Sequence, residues 1–271
     1  MMANTHRAPA VAGQFYPAHP KHLSDQLLGF LDSVEPMPSK RPRALIVPHA
    51  GTIYSGPIAA SAYKLLGTWK DDIDQVILLG PSHHVYLHGA AAPRSSEFET
   101  PLGNISIPQQ TLEDMVSKYP FLHFSDEAHA QEHALEVQLP FLKLVLDDFQ
   151  LLPWVVGELS DTDGCQLLDD LTGQGRHVII LSTDLSHFHD YETATNTDLE
   201  TARHIESFNG EGLEPRSACG RTPLKSLLTY ARKHDLEIER LDLRNSGDTA
   251  GSKHQVVGYG AWALYDKDRS N

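Results

Sequence analysis

Three short runs rich in Val, Ile and Leu each lead into a loop that carries histidine. The runs cover residues 44–47, 75–79 and 177–181, and the loops after them read PHAG, PSHH and STDLSHFH. Apolar runs of this length are typical of strands that are buried on both faces of a sheet. Because loops at the carboxyl ends of parallel strands meet in one crevice, we expect these histidines to lie together in space.

The rest of the pattern is typical of an α/β protein. Further strands are predicted over residues 151–156 and 255–265, and residues 98–107 are predicted to form a turn that enters a strand. Amphipathic stretches of helical period cover residues 57–66, 134–146, 161–171 and 223–233. We therefore predict a mixed, largely parallel central sheet with helices on both faces. Since no repeat or linker interrupts the pattern, residues 1–271 are predicted to form a single domain.

Composition excludes several classes of partner. A formal net charge of −14 would repel a nucleic-acid backbone, and no basic run offsets it. The sequence contains neither an apolar signal core nor a stretch long enough to span a bilayer, so no membrane association is expected. Two cysteines are too few for a disulfide framework, which favours the cytoplasm as the compartment.

One of the two cysteines lies in a run that suggests chemistry. Cys219 belongs to SACGRTP, which precedes a predicted helix with Thr222 as its N-cap and Pro223 as its first residue. A thiol beside a helix start and an arginine is expected to have a lowered pKa, so Cys219 is a candidate metal ligand or nucleophile. Cys165 falls inside an amphipathic stretch and is predicted to be a buried packing residue.

Two further clusters of ionisable residues have the spacing of a functional site. If residues 127–136 are helical, His129 and His133 share one face, as the histidines of zinc peptidases do. The sequence is not HExxH, however, so Glu132 and His133 are predicted to line a cleft instead. Asp184 and His187 lie three residues apart, and a histidine with a neighbouring carboxylate is a candidate general base.

Seven motifs, in order along the chain, resemble the Memo family. They are RAPAVAGQFYP, PHAGTIYSG, LLGPSHH, FETPLG, EHALEVQLPFL, STDLSHF and SACGRTPL. Bacterial and archaeal members are often called AmmeMemoRadiSam system protein B. The resemblance implies a fold similar to class III extradiol dioxygenases, in which two histidines and a carboxylate hold a non-haem iron.

The resemblance also implies roles for individual residues. His49, His83 and Cys219 would be the metal ligands, with His83 chosen over His84 on its position in the motif. His187 would be the general base, with Asp184 as its neighbour. The predicted cleft-lining residues are His84, Glu132, His133 and Arg221.

Several functions are compatible with such a site. The first hypothesis is a metal-dependent, dioxygenase-like oxidoreductase that acts on an unknown small substrate and uses Fe(II) or Cu. The alternatives are a non-catalytic peptide- or ligand-binding protein that uses the same cleft, and a zinc-dependent hydrolase. The family name also implies a functional link to radical-SAM and AMMECR-type proteins.

Overall fold

A computed structural model describes residues 6–35, 40–173 and 176–267 of the chain, so both ends of the predicted domain lie outside the described residues. Within these ranges there is one mixed sheet of twelve strands, accompanied by eight α-helices. The strands are β1 (His6–Arg7), β2 (Ala44–Val47), β3 (Gln75–Pro81), β4 (Ala90–Ala92), β5 (Glu97–Phe98), β6 (Ile105–Ser106), β7 (Leu122–Phe124), β8 (Gln150–Val156), β9 (His177–Ser182), β10 (His187–His189), β11 (Leu236–Asn245) and β12 (Val256–Asp266).

The centre of the sheet is parallel. Strands β8, β3, β9 and β2 are neighbours in that order, and each adjacent pair is parallel. β12 then adds antiparallel to β2, and both β10 and β11 pair antiparallel with β12. The four central strands are almost entirely buried, which accounts for their continuous apolar sequence. The predicted mixed, largely parallel sheet is therefore confirmed.

The helices occupy two groups around the sheet. In the first, α1 (Pro20–Asp32), α2 (Thr52–Leu66) and α5 (Leu139–Val145) contact one another, and α2 also packs on β2 and β12. In the second, α6 (Asp161–Thr172) packs on α8 (Arg221–Lys233), which contacts β3 and β9. The remaining helices are α3 (Gln109–Lys118), α4 (Asp126–Ala130) and α7 (Tyr191–Glu206). In the part of the chain described here, none of the helices has the length and hydrophobicity needed to cross a membrane.

Most strand predictions agree with the structure to within two residues, whereas three helix predictions need correction. α2 begins at Thr52 rather than at residue 57, because Pro57 inside the helix removes only one backbone hydrogen bond near its amino-terminal end. The helix predicted over residues 134–146 is a 3₁₀ turn (Glu136–Gln138) followed by α5, whose start is set by Pro140. α8 begins at Arg221 with Gly220 as its N-cap, so Thr222 is not the cap.

A buried ion pair attaches the amino-terminal segment to the rest of the fold. The Arg7 Nη1 lies 2.7 Å from the Glu136 Oε2, and both side chains are almost fully buried. Arg7 also donates to the backbone carbonyls of His129 and Glu132, at 2.7 and 2.8 Å. Its guanidinium therefore holds both ends of the loop that leads to His133.

Glu136 secures the segment that follows Arg7. Its carboxylate accepts the backbone N–H groups of Ala10 and Val11 and the hydroxyl of Tyr16, at 2.7 to 3.0 Å. Glu136 has no exposed surface, so these donors replace the water that its charge would otherwise require. The amino-terminal segment is thereby fixed against the loop before α5.

Replacing Arg7 tests how much this ion pair contributes to the free energy of unfolding. We expect Arg7→Met to lower the free energy of unfolding by about 3–5 kcal/mol, because it leaves the Glu136 carboxylate buried without its cation. The matched control is Lys21→Met, which breaks an exposed pair with Asp25 and should cost less than about 1 kcal/mol. Urea unfolding measures both, and equal losses in the two variants would contradict the assignment.

Candidate metal centre

Three histidine side chains converge at the carboxyl ends of the central strands. His49 follows β2, His83 follows β3, and His133 lies in the loop between α4 and α5. The ring centroids are 5.3 Å apart for His49 and His83, 5.5 Å for His49 and His133, and 4.6 Å for His83 and His133. One nitrogen from each ring lies within 4.8 Å of the others, so the three imidazoles could hold a metal ion. We call these three residues the histidine cluster.

A serine at the end of β9 fixes the tautomer of His49. The Ser182 hydroxyl donates its one proton to the Ala134 carbonyl at 2.6 Å. It lies 2.8 Å from the Nδ1 of His49 and must accept there, so the proton of this ring is on Nδ1. Gln138 supports the arrangement by donating its Nε2 proton to the same hydroxyl. The Nε2 of His49 is left without a proton, as a metal ligand requires.

A buried carboxylate does the same for His83. The Oε1 of Glu132 lies 2.8 Å from the Nδ1 of His83, and its Oε2 accepts the backbone N–H of the same residue at 2.6 Å. These bonds outweigh the effect of burial and lower the pKa of Glu132 to about 2, so the carboxylate is ionised and can only accept. The Nδ1 of His83 therefore carries a proton, which leaves Nε2 as the nitrogen of this ring that could bind a metal.

Two members of the histidine cluster, His49 and His133, are held in the uncharged form. Burial, and after it the neighbouring His83, lower the pKa of His49 to about 3. Burial also lowers the pKa of His133 to about 4, followed by the effects of His49 and His83. Since only a neutral imidazole can donate a lone pair, the environment of these rings favours metal binding near neutral pH.

His133 enters the cluster although the sequence predicted it only as a cleft-lining residue. Its ring stacks on His83 with an interplanar angle of 16° and contacts Phe15 at 4.8 Å between centroids. The pairing of His129 with His133 on one helical face is wrong, because α4 ends at Ala130. The Nε2 of His129 instead lies 2.9 Å from the Ala91 carbonyl, in the core.

Cys219 lies beside the cluster. Its Sγ is 3.3 Å from the Nε2 of His49 and accepts the backbone N–H of Asp184 at 3.2 Å. The prediction of a lowered thiol pKa is wrong in the metal-free chain: burial, and then the Asp184 carboxylate, raise the pKa of Cys219 to about 12. The side chain of Arg221 does not offset this effect, because its Nε donates to the Leu213 carbonyl.

The position of Cys219 depends on a close approach of two backbones. The N–H of Gly220 donates to the Thr183 hydroxyl at 2.8 Å. A Cβ at position 220 would lie 2.7 Å from the Cβ of Thr183, so only glycine fits against this loop. Gly220 thus brings Cys219 and the start of α8 against the end of β9.

Residues 184–187 form a loop fastened to β12. The N–H of Leu185 donates to the Gly258 carbonyl and that of Gly258 to the Ser186 carbonyl, both at 2.8 Å. The buried Asp198 adds a third bond by accepting the Ser186 N–H at 2.9 Å. Asp184 in the same loop accepts the backbone N–H of His49 at 2.7 Å. These bonds fix the backbone that contacts the Cys219 thiol, and the same loop continues into His187.

Two other histidines of the predicted site, His187 and His84, lie outside the histidine cluster. His187 lines a cavity together with Cys219 and is close enough to His49 to affect its pKa. His84 lies outside the cluster, with its ring centroid 6.5 Å from that of His83, so the geometry favours His83 as the ligand. Neither Ser182 nor Gln138 was among the site residues predicted from the sequence. Ser182 ends an apolar strand at the start of the TDLSH run, and that position was its only signal.

Known proteins are similar to this chain over most of its length. Residues 7–263 match the family model described as Memo-like protein. The chain belongs to the Memo family. A MEMO1 family protein from Saccharolobus solfataricus is 33% identical over an alignment that covers 93% of this chain and 97% of the relative. Another, from Metallosphaera sedula, is also 33% identical, with 96% and 99% covered.

A solved structure shares the fold of this Memo chain. The crystal structure of an uncharacterized protein from Escherichia coli K12 matches with a TM-score of 0.55. The match covers 83% of the Memo chain and 100% of the other, at 12% sequence identity. At that identity the likeness concerns the fold alone. The predicted family and fold class are confirmed.

The uncharged histidines make stability depend on pH. An unfolded histidine takes up a proton near pH 6.5, whereas folded His49 and His133 do so only near pH 3 and 4. The free energy of unfolding should therefore fall as the pH drops below 6.5, by up to about 1.4 kcal/mol per pH unit for each ring. His133→Gln should remove one such contribution. Urea unfolding of metal-free protein from pH 7.5 to pH 5 measures the slopes, and equal slopes for both proteins would contradict this account.

Proposed function

We propose that this protein binds one redox-active transition metal ion, Fe(II) or Cu, and uses it in dioxygenase-like oxidation of a small substrate. The observation that carries the proposal is the pair of fixed Nδ1 protons: Ser182 and Glu132 hold the Nδ1–H of His49 and of His83, which leaves the Nε2 of each ring as the donor atom within the histidine cluster. Metal-binding histidines in proteins are oriented in this way, by a hydrogen bond to the other ring nitrogen.

The donor atoms available at the site suit these metals. His49 and His83 would bind the ion, with His133 or Cys219 completing the set. Imidazole suits iron, copper and zinc, and a thiolate shifts preference toward the softer ions. The Cys219 thiol keeps its proton in the metal-free chain, so its coordination would require loss of that proton to the solvent.

The bound ion would supply a Lewis acid and electron-transfer chemistry that no side chain of this site provides. The protein's own residues have separate tasks. Phe15 packs against His133 and shields that side of the cluster from water, while Asp184 holds the backbone of His49 in place. The Glu132 carboxylate keeps the Nδ1 proton of His83 in a hydrogen bond and so prevents that ring from turning.

His187 is the candidate for proton transfer. It lies in β10, at the end of the loop fastened to β12, and it lines the cavity beside Cys219. Imidazole is the side chain used most often as a general acid or base, because both of its forms are accessible near neutral pH. We assign His187 the transfer of a proton to or from a substrate that occupies this cavity.

Two other functions are separated by the same measurements. A zinc-dependent hydrolase would hold zinc on these ligands and be inactive with iron or copper. A peptide- or ligand-binding protein would bind its ligand equally well after the metal had been removed. The tautomer-fixed imidazoles favour a metal-dependent activity over metal-free binding. The resemblance to class III extradiol dioxygenases is the reason that we rank the redox function above the hydrolase.

Metal stoichiometry tests the proposal. Protein purified without oxygen, or reconstituted with Fe(II), Cu or Zn, should hold about one ion per chain. His49→Ala and His83→Ala should lose the ion, because each removes an imidazole donor from the cluster. His84→Ala is the matched control, since it removes the adjacent histidine, which lies outside the cluster, and it should keep the ion.

Either of two results would count against the metal site. Failure of the wild type to take up any of the three metals would overturn it outright. Equal losses in the His83 and His84 variants would show that the ion is held elsewhere, by the exposed loop. If zinc alone is retained and supports turnover, the hydrolase replaces the redox function.

A further inference from the structure

A cavity of about 330 Å³ opens beside the histidine cluster, between β10 and the loop that precedes α8. Its volume is at the lower end of the range for small-molecule sites, which fits a ligand with a single ring. The residues that line it include His187, Phe188, His189, Pro215, Arg216 and Cys219. Because the Cys219 Sγ is 3.3 Å from the Nε2 of His49, a ligand in this cavity would lie next to the cluster.

The lining of the cavity favours an anion. The chain has 36 Asp and Glu residues against 22 Lys and Arg, yet no acidic side chain lines this cavity in the described parts of the chain. Its one permanent charge is the guanidinium of Arg216. Within the described ranges Arg216 makes no ion pair or hydrogen bond, whereas Arg240 and Arg244 bind neighbouring carboxylates. Its five donors are therefore available to a ligand, and their geometry matches a carboxylate.

Phe188 adds an apolar surface to the same cavity. Its side chain is 70% exposed, so one face of the ring is open to a ligand. Its φ of +63° lies in the left-handed region, which residues other than glycine adopt only at a cost. Strained residues of this kind cluster at ligand-binding and active sites. The strain here places an aromatic ring at the edge of a cavity that also contains a cation.

We infer that this cavity binds a small organic carboxylate with a flat apolar body, such as an aromatic acid. The carboxylate pairs with Arg216, and the ring packs on Phe188 and Pro215, with its far side toward Cys219 and His187. The inference deepens the proposed function and rests on it, since it names the substrate class of the same site. It makes Arg216 the arginine that binds the substrate, whereas the sequence predicted Arg221 as a cleft-lining residue.

Benzoate is the probe, and the full-length protein is titrated by calorimetry both before and after metal loading. Arg216→Gln should weaken benzoate binding by about 10- to 100-fold, because it removes a charge-assisted hydrogen bond. Arg232→Gln is the matched control, since it makes the same change at an exposed position in the last turn of α8. Benzyl alcohol, which has the same ring without the charge, should bind at least about tenfold more weakly than benzoate.

Phe188→Gly tests the apolar contact without endangering the fold, because glycine adopts a φ of +63° readily. This variant should unfold no more easily than the wild type but bind benzoate less tightly. Inorganic phosphate separates the two halves of the inference. If phosphate binds as tightly as benzoate and Phe188→Gly changes neither affinity, the cavity is a plain anion site and the carboxylate inference is overturned.

The proposal of a metal site and the inference of a carboxylate site can fail independently of each other. If the protein takes up a metal ion but does not bind benzoate in either form, the inference falls and the metal centre stands. Benzoate binding that depends on Arg216 in a chain without metal affinity supports the cavity and overturns the redox function. Equal weakening by Arg216→Gln and Arg232→Gln would also overturn the inference, because the effect would then come from net charge alone.

Discussion

The site depends on hydrogen bonds that decide which nitrogen of two imidazoles carries a proton. The Ser182 hydroxyl donates its proton in a hydrogen bond to the Ala134 carbonyl, and the Glu132 carboxylate is ionised. Both groups can therefore only accept a hydrogen bond from the histidine that each contacts. Each bond leaves one lone pair turned toward the cluster. Burial then keeps His49 uncharged. Packing alone does not require a particular tautomer of these rings, whereas a metal site requires a ring nitrogen without a proton that faces the ion.

The fold supplies the atoms for this network from distant parts of the sequence. Parallel strands place the loops after β2, β3 and β9 at one edge of the sheet, and the antiparallel β12 fastens the loop that leads to His187. Arg7 and Glu136 lie behind the cluster and hold the amino-terminal segment and the loop before His133 in register. The ion pair therefore contributes to the site by fixing the backbone around it.

Much of this arrangement could be predicted from the sequence, because buried strands and the residues after them follow simple rules of pattern. The convergence of His49 and His83 follows from the parallel topology, and the FETPLG turn from its glycine and proline. The entry of His133 could not be predicted, because it depends on where α4 ends. The pKa of Cys219 was predicted in the wrong direction, since burial outweighs the helix start and the side chain of Arg221 turns to a carbonyl. The role of Ser182 depends on a contact with Ala134, 48 residues away, which no local pattern contains.

The central claim is that the protein presets the tautomers of its metal-binding histidines before any metal arrives. Long-range ¹H–¹⁵N NMR spectra of the metal-free protein at pH 7 measure this directly, with His49→Gln and His83→Gln used to assign the signals. The account predicts that both rings carry a proton on Nδ1 and that the Nε2 of His49 is unprotonated. An Nδ1 without a proton in either ring, or a proton on the Nε2 of His49, would contradict it.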